Sequence, residues 1–159
     1  MEKLLPTLTK YINNCEFPHE AMPEIVKMGC NGFHIKDFGG PNLSQFGVAA
    51  VVFELAKYDA SIATFIAVHN SIGMQVIDML GSDEQRARFL PDGLAFKKIY
   101  GFGLTEPEYG SDATSLKTSA KKVDGGYILN GKKRWIGNST FPNSVVVVWA
   151  RNEDEGGKI

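Results

Sequence analysis

Along the first ninety residues, apolar positions recur at helical spacing. Residues 2–14 are amphipathic, with Pro6 early enough to sit in a first helical turn. Glu16-Phe17-Pro18-His19 interrupts the pattern, and a short helix over 23–28 follows, stopped by Gly29. Residues 43–58 place Phe46, Ala50, Phe53 and Ala56 at helical spacing and predict a strong helix. Residues 61–80 predict a second long helix, apolar almost all round, with no formal charge between Asp59 and Asp78. A helix apolar on every face belongs in a core. Gly81 closes it, and Ser82 with Gln85 forms a capping-box pattern for a further helix through Phe89.

After Pro91 the period shortens. Residues 99–104 read as a buried strand, and 118–123 alternate. Asp124-Gly125-Gly126 reads as a hairpin turn into Tyr127-Ile128-Leu129. Asn130-Gly131 predicts a second hairpin, continued by Arg134-Trp135-Ile136, and 144–150 an apolar, central strand. Helices followed by antiparallel strands predict an α+β chain. We expect an all-helical domain over 1–95 and an antiparallel β-domain over 96–159.

Composition narrows the function classes. A chain of 159 residues can bury one good core, or one domain and part of another. The net charge is −1 and no basic stripe is present, which argues against nucleic acid as the main partner. Lys132-Lys133-Arg134 reads as a solvated hairpin edge. Cys15 and Cys30 read as free thiols in a reducing compartment, with a disulfide as the alternative. No apolar run reaches membrane-spanning length, and the N-terminus lacks a signal-peptide profile. His19 and His34 have no partners at catalytic or metal spacing, so no metal site is predicted. Gly39-Gly40-Pro41-Asn42 lacks the lysine of a phosphate-binding loop.

The stretch 102–112, Phe-Gly-Leu-Thr-Glu-Pro-Glu-Tyr-Gly-Ser-Asp, carries the most chemical information. An apolar strand breaks into a loop in which Gly110 permits close backbone approach and Thr105 and Ser111 offer hydroxyls. Asp112 is placed to cap the next turn. On residues alone, a strand with a capped turn and a ligand-binding loop are both open readings. Glu106 and Glu108, two glutamates in one loop, read as solvated rather than as a paired acid and base.

Leu104-Thr105-Glu106-Pro107 with Gly110-Ser111-Asp112 resembles the T-E-P-x-x-G-S-D signature of the acyl-CoA dehydrogenase and acyl-CoA oxidase flavoproteins. A second signature, N-G-x-K-x-W-I, recurs as Asn130-Gly131-Lys132-Lys133-Arg134-Trp135-Ile136. The likeness covers nearly the whole chain. It implies FAD as cofactor, an acyl-CoA thioester as substrate and α,β-dehydrogenation, with a glutamate base taking the α-proton and the β-hydrogen leaving to the flavin. It also implies that the flavin meets Phe102, Leu104 and Thr105 in the first motif, and Trp135, Ile136 and Gly137 after the second. Gly110 and Ser111 lie where flavin and acyl-CoA approach, Thr64 lines the acyl pocket, and Glu106 is structural. For Trp135 a half-buried sheet aromatic is the competing reading.

Compared with the family pattern, the chain reads as the N-terminal domain with a shortened first helix and the first part of the middle β-domain. The base then belongs to a C-terminal helical bundle, so no catalytic residue is expected among these residues, nor turnover by the chain alone. The resemblance implies a homo-oligomer for the complete protein, or a partner chain over the open β-domain. It also implies mitochondria or peroxisomes in a eukaryote and cytoplasm in a bacterium. A non-catalytic structural or assembly subunit of the same fold is the alternative function. Two positions bear on specificity. Glutaryl-CoA dehydrogenases carry an arginine near the Ala63 position, so alanine argues against a dicarboxylic acyl group. Family members usually have threonine where this chain has Gly137, as in short-chain acyl-CoA oxidases; either the glycine opens the flavin edge to oxygen, or it serves a turn needing positive φ.

Overall fold

The computed structural model describes residues 4–159. Residues 2 and 3, the start of the first expected helix, lie outside the described residues. Helix α1 spans Leu5–Asn14, α2 Met22–Lys27 and α3 Gln45–Ala56. Then come α4 (Ala60–Ala67), a π-helical segment (Val68–Met74) and α5 (Gln75–Leu80), continuous as one rod. Helix α6 is Asp83–Leu94.

Local signals hold at several helix ends. The Ser44 and Asp59 side chains accept the Gly47 and Ile62 amides, and Ser82 and Gln85 close both halves of a capping box. Three expectations change. Helix α6 runs through Pro91 to Leu94, where buried Leu90 and Gly93 hold the last turn in the core. The α3 positions Phe46 and Phe53 lie 85% and 65% exposed, because the helix packs through Val48 and Leu55 instead. The Ala60–Leu80 rod is 21 residues long and apolar enough by composition to cross a membrane, contrary to the expectation. Its inner side is a protein core: Ile62, Ala63, Phe65, Ile66, His69, Asn70 and Met74 are buried, while Met79 and Leu80 are exposed.

A helical N-terminal region and a partial β-region are present, as expected. Strand β1 is Ile99–Gly103, β2 Ser119–Val123, β3 Gly126–Asn130, β4 Ser144–Val148 and β5 Arg151–Asn152. The strand senses are mixed. β2 and β3 form the expected antiparallel hairpin, with Gly125 at φ +78° in its turn. β1 pairs parallel to β4, with Gly101 opposite Val146, and β2 pairs parallel to β5. β4 therefore sits in a two-stranded pair rather than centrally. No second hairpin forms at Asn130-Gly131, and 131–136 leave the sheet to cross beneath the first loop.

The rod is joined to β1 by buried polar contacts. His69, fully buried, takes the Tyr100 amide on Nδ1 at 3.1 Å and faces the Gly93 carbonyl with Nε2 at 3.1 Å. This assigns the Nε2–H tautomer, since Nδ1 accepts. Burial holds the imidazole pKa down at about 4, against a smaller upward pull from the Gly93 carbonyl. Asn70 donates to the Cys30 and Ile66 carbonyls and accepts the Gly32 amide. Each pairing satisfies a buried polar group that would otherwise be costly.

Candidate functional site

Both signature segments meet directly below the end of β1. The Arg134 amide donates to the Thr105 carbonyl at 2.9 Å. The Lys133 ammonium donates to the Leu104 carbonyl and to Glu106 Oε1, each at 2.9 Å. Glu106 in turn accepts the Lys117 amide at 2.6 Å and the Thr118 amide at 2.8 Å. Gly131 makes the crossing possible, because a Cβ there would overlap Thr118.

Two sequence expectations are corrected here. Glu106 is not solvated: the residue is 5% exposed. Lys133 is not on a solvated edge: its side chain is 12% exposed. Burial by itself would raise the Glu106 carboxyl, yet hydrogen bonds from Thr118, Lys117 and Lys133 outweigh it and hold the pKa at about 2. A carboxylate so weakly basic and so enclosed cannot serve as a proton-abstracting base. Its neighbour Glu108 is exposed, as expected.

The remaining candidates divide into two groups. Phe102, Leu104 and Thr105 are half-buried at the end of β1, with the Phe102 ring edge-on to Trp149 at 5.9 Å. Trp135 lies 78% exposed, with φ +64° and the Arg134 guanidinium over its ring at 4.3 Å. It is therefore not the half-buried sheet aromatic of the competing reading. Ile136 is half-buried beside it and Gly137 is exposed. Gly110 and Ser111 are also exposed, beyond a turn closed by reciprocal Glu106 and Tyr109 backbone bonds. Among the described residues no hydrogen bond joins them to the second segment. Asp112 accepts the Thr114 hydroxyl at 3.2 Å, and hydrogen bonds from Ser115 and Thr114 at the turn that follows hold its carboxyl below the usual range.

Gly137 is not a positive-φ position; the left-handed residues are Trp135 and Asn138 on either side of it. No atom lies within 4 Å of where its Cβ would be, so the space beside the backbone is open. The turn reading of this glycine is corrected accordingly. Asn138 was missed by sequence reasoning. Its φ is +65°, and its side-chain amide donates to the Phe65 and Tyr100 carbonyls, each at 3.1 Å. It thus pins the Trp135 segment to both α4 and β1. The available signal was an asparagine after glycine, a residue that tolerates the left-handed region. Gly101 is the complementary position: a Cβ there would lie 2.9 Å from the Gly137 carbonyl.

Two concavities lie on the helical side, one of which reaches Asn138. A groove of about 320 Å³ between α3 and the rod is lined by Val52, Ala56, Ala63, Thr64, Val68 and Ile72, among others, with no charged side chain. Thr64 is exposed and its hydroxyl donates to the Ala60 carbonyl at 2.8 Å. An open cavity of about 980 Å³ lies between α1, the start of α4 and the turn after Asn138, walled by Leu8, Phe17, Phe65 and Phe141. Among the described residues no cluster of His, Cys, Asp and Glu has metal-binding geometry.

Residues 1–97 match the acyl-CoA dehydrogenase N-terminal domain, and 101–159 match the acyl-CoA dehydrogenase middle domain. The chain belongs to the acyl-CoA dehydrogenase family. It is similar to mitochondrial isobutyryl-CoA dehydrogenase of Dictyostelium discoideum, 38% identical over 99% of this chain and 38% of that protein. The structure resembles glutaryl-CoA dehydrogenase from Mycobacterium smegmatis, with TM-score 0.87 and 34% identity over 94% of this chain and 39% of the other. It also resembles an acyl-CoA dehydrogenase from Bacillus anthracis solved in complex with FAD, with TM-score 0.83 and 31% identity over 96% of this chain and 27% of the other. The chain thus spans about two fifths of the length of the curated relative.

The surface left by the two acyl-CoA dehydrogenase signatures fits a flavin. It offers an exposed indole, half-buried apolar walls from Phe102, Leu104 and Ile136, and open space over Gly110 and Gly137. A planar ring with one polar edge needs that combination of apolar wall and accessible backbone. Left-handed backbone at a tryptophan costs energy and persists only where surrounding contacts enforce it, as at ligand-facing segments.

Proposed function

We propose that the complete protein is an FAD-dependent enzyme that dehydrogenates an acyl-CoA thioester between its α and β carbons. In this reading residues 4–159 supply the flavin wall and one side of the acyl pocket. The observation that carries it is the junction of the two signatures, which leaves Trp135 exposed beside the buried Glu106–Lys133 contact. When bound, FAD supplies the two-electron redox chemistry. Phe102, Leu104, Thr105, Gly110, Ser111, Trp135, Ile136 and Gly137 would hold and orient it, with Ser111 also at the approach of the acyl-CoA. The proton-abstracting base lies outside these residues, since the enclosed Glu106 cannot fill that role. We place the join between the helical and β-domain units near residues 92–98, with the helical unit over 1–95 and the β-unit over 96–159.

The substrate reading follows from the groove beside Thr64. Ala63 is buried and the groove is free of charge, which suits an uncharged acyl chain and disfavours a second carboxylate. Gly137 deepens the redox reading. With open space beside it, threonine at this position is expected to fold within about 0.5 kcal/mol of the native stability. In the complete enzyme, Gly137→Thr is expected to lower peroxide production relative to reduction of an artificial acceptor. An unchanged ratio would rule out oxygen access as the role of the glycine.

The site itself is tested with FAD. Trp135→Ala is expected to leave the unfolding midpoint nearly unchanged, because the indole is exposed. Flavin affinity should fall at least tenfold, about 1.4 kcal/mol, measured by titration of the complete protein. Equal affinity in the variant would remove Trp135 from the flavin wall. Acyl-CoA oxidation by the 159-residue chain alone would overturn the assignment of the base to residues outside it.

A further inference from the structure

We propose that Glu106 and Lys133 form a buried positioning pair that sets the separation of the two flavin-facing segments. The proposal rests on the reading of these segments as a flavin wall, but its geometry stands independently. Lys133 reaches from the second signature into the first: its ammonium holds both the Leu104 carbonyl and Glu106. Glu106 is itself anchored by the Lys117 and Thr118 amides at the entry to β2. Three pieces of chain, the end of β1, the start of β2 and the Trp135 segment, therefore converge on one ion pair. The adjacent Arg134 amide bond to Thr105 is a single backbone contact on the near side of Trp135, while on its far side Asn138 holds the Phe65 and Tyr100 carbonyls. The pair supplies the side-chain attachment on the near side, next to that backbone bond, and so sets how far this end of the Trp135 segment stands from the end of β1.

The enclosure of the pair distinguishes it from the other ion pairs among the described residues. Its side chains are 12% and 4% exposed, whereas Lys27–Glu24 and Lys57–Glu54 lie on the surface. Exposed pairs contribute little and tolerate loss; a buried charge left without its partner must move or draw in water. Loss of Lys133 therefore frees the Leu104 carbonyl and leaves the Glu106 carboxylate held by the Lys117 and Thr118 amides alone. Neither residue touches the reacting atoms; both act through Trp135, Leu104 and Thr105.

Lys133→Met keeps the length and removes the charge; Glu106→Gln removes the negative charge and keeps one of the two acceptor oxygens, which can still face Thr118 and Lys133. Both are compared with native protein by hydrogen exchange and by the NMR signals of the two indole N–H groups. In Lys133→Met the Arg134 amide is expected to exchange at least tenfold faster and the Trp135 indole signal to shift or broaden. The Trp149 indole and the Tyr100 amide should be unaffected. Glu106→Gln should show the same pattern more weakly. Uniformly faster exchange at Arg134 and Tyr100 would make the pair merely structural and overturn the proposal, as would an unchanged Arg134 amide and Trp135 signal. If Lys133→Met proves unfolded, Glu106→Gln alone decides by the same two signals. FAD titration is the separate arm. Native protein that fails to bind FAD while the exchange pattern holds refutes the flavin reading and keeps the pair. Native protein that binds FAD, with Lys133→Met binding it equally tightly, refutes the positioning role toward the cofactor.

Discussion

Lowering the pH from 7 to 4 is expected to remove about 3 kcal/mol of stability through His69 alone. The imidazole is fully buried, and its pKa is lowered from 6.5 to about 4, chiefly by burial. The folded protein therefore keeps it neutral while the unfolded chain takes up a proton below pH 6.5. The stabilisation is complete above that pH, declines as pH falls, and levels off near pH 4, where the folded form also protonates. Glu106 acts in a lower window. Its depressed pKa contributes stability that is present above about 4.5 and lost as pH falls toward about 2. The check is urea unfolding at several pH values for native protein and His69→Leu. The variant should lose the dependence between pH 6.5 and 4. At pH 7 it should be destabilised by about 3–5 kcal/mol, because the Tyr100 amide and Gly93 carbonyl lose their partner and Phe96 loses the ring stacked on it at 4.4 Å. Parallel pH curves for the two proteins would show that the histidine is not held neutral.

The second large effect is expected at Gly73, inside the π-helical segment. Helix propensity alone favours alanine over glycine by about 1 kcal/mol. Packing opposes it, since an added Cβ would sit 2.5 Å from the Tyr100 Cβ and 3.2 Å from both the Tyr100 carbonyl carbon and the Val68 carbonyl oxygen. None of these atoms can rotate away, so either the rod or β1 must shift. Overpacking of this kind costs about 1–3 kcal/mol and occasionally more, and a backbone obstacle places Gly73→Ala at the upper end. A net loss of about 2–3 kcal/mol is expected by denaturant unfolding. Gly47→Ala in α3 is the control. Its nearest contacts are ordinary, beginning at 3.5 Å, so propensity should prevail and stability rise slightly. A Gly73→Ala protein as stable as the control would mean that the rod does not lie against Tyr100. The consequence extends to the site, because Tyr100 also offers its carbonyl to Asn138, which holds the Trp135 segment.

What the sequence determined by itself is local or tied to a motif. The Ser82–Gln85 capping box, the Gly125 turn and the α3 and rod helices follow from backbone preferences and apolar period, which act over a few residues. The two signatures also named the proposed flavin-facing candidates, among which Trp135 is exposed. Tertiary structure decided the rest. The parallel pairing of β1 with β4 depends on the path between them, not on the pattern within either strand. The same is true of the missing hairpin at Asn130-Gly131, where the chain gives up a local turn for contacts with Thr105 and Thr118. Charge burial was the least legible. Glu106 and Lys133 look solvated when read alone, and only their mutual contact, with two backbone amides, makes burial affordable. His69 lies in an apolar run and gave no local sign of its task; its two partners are 24 and 31 residues away in sequence and meet it only when the rod settles on β1.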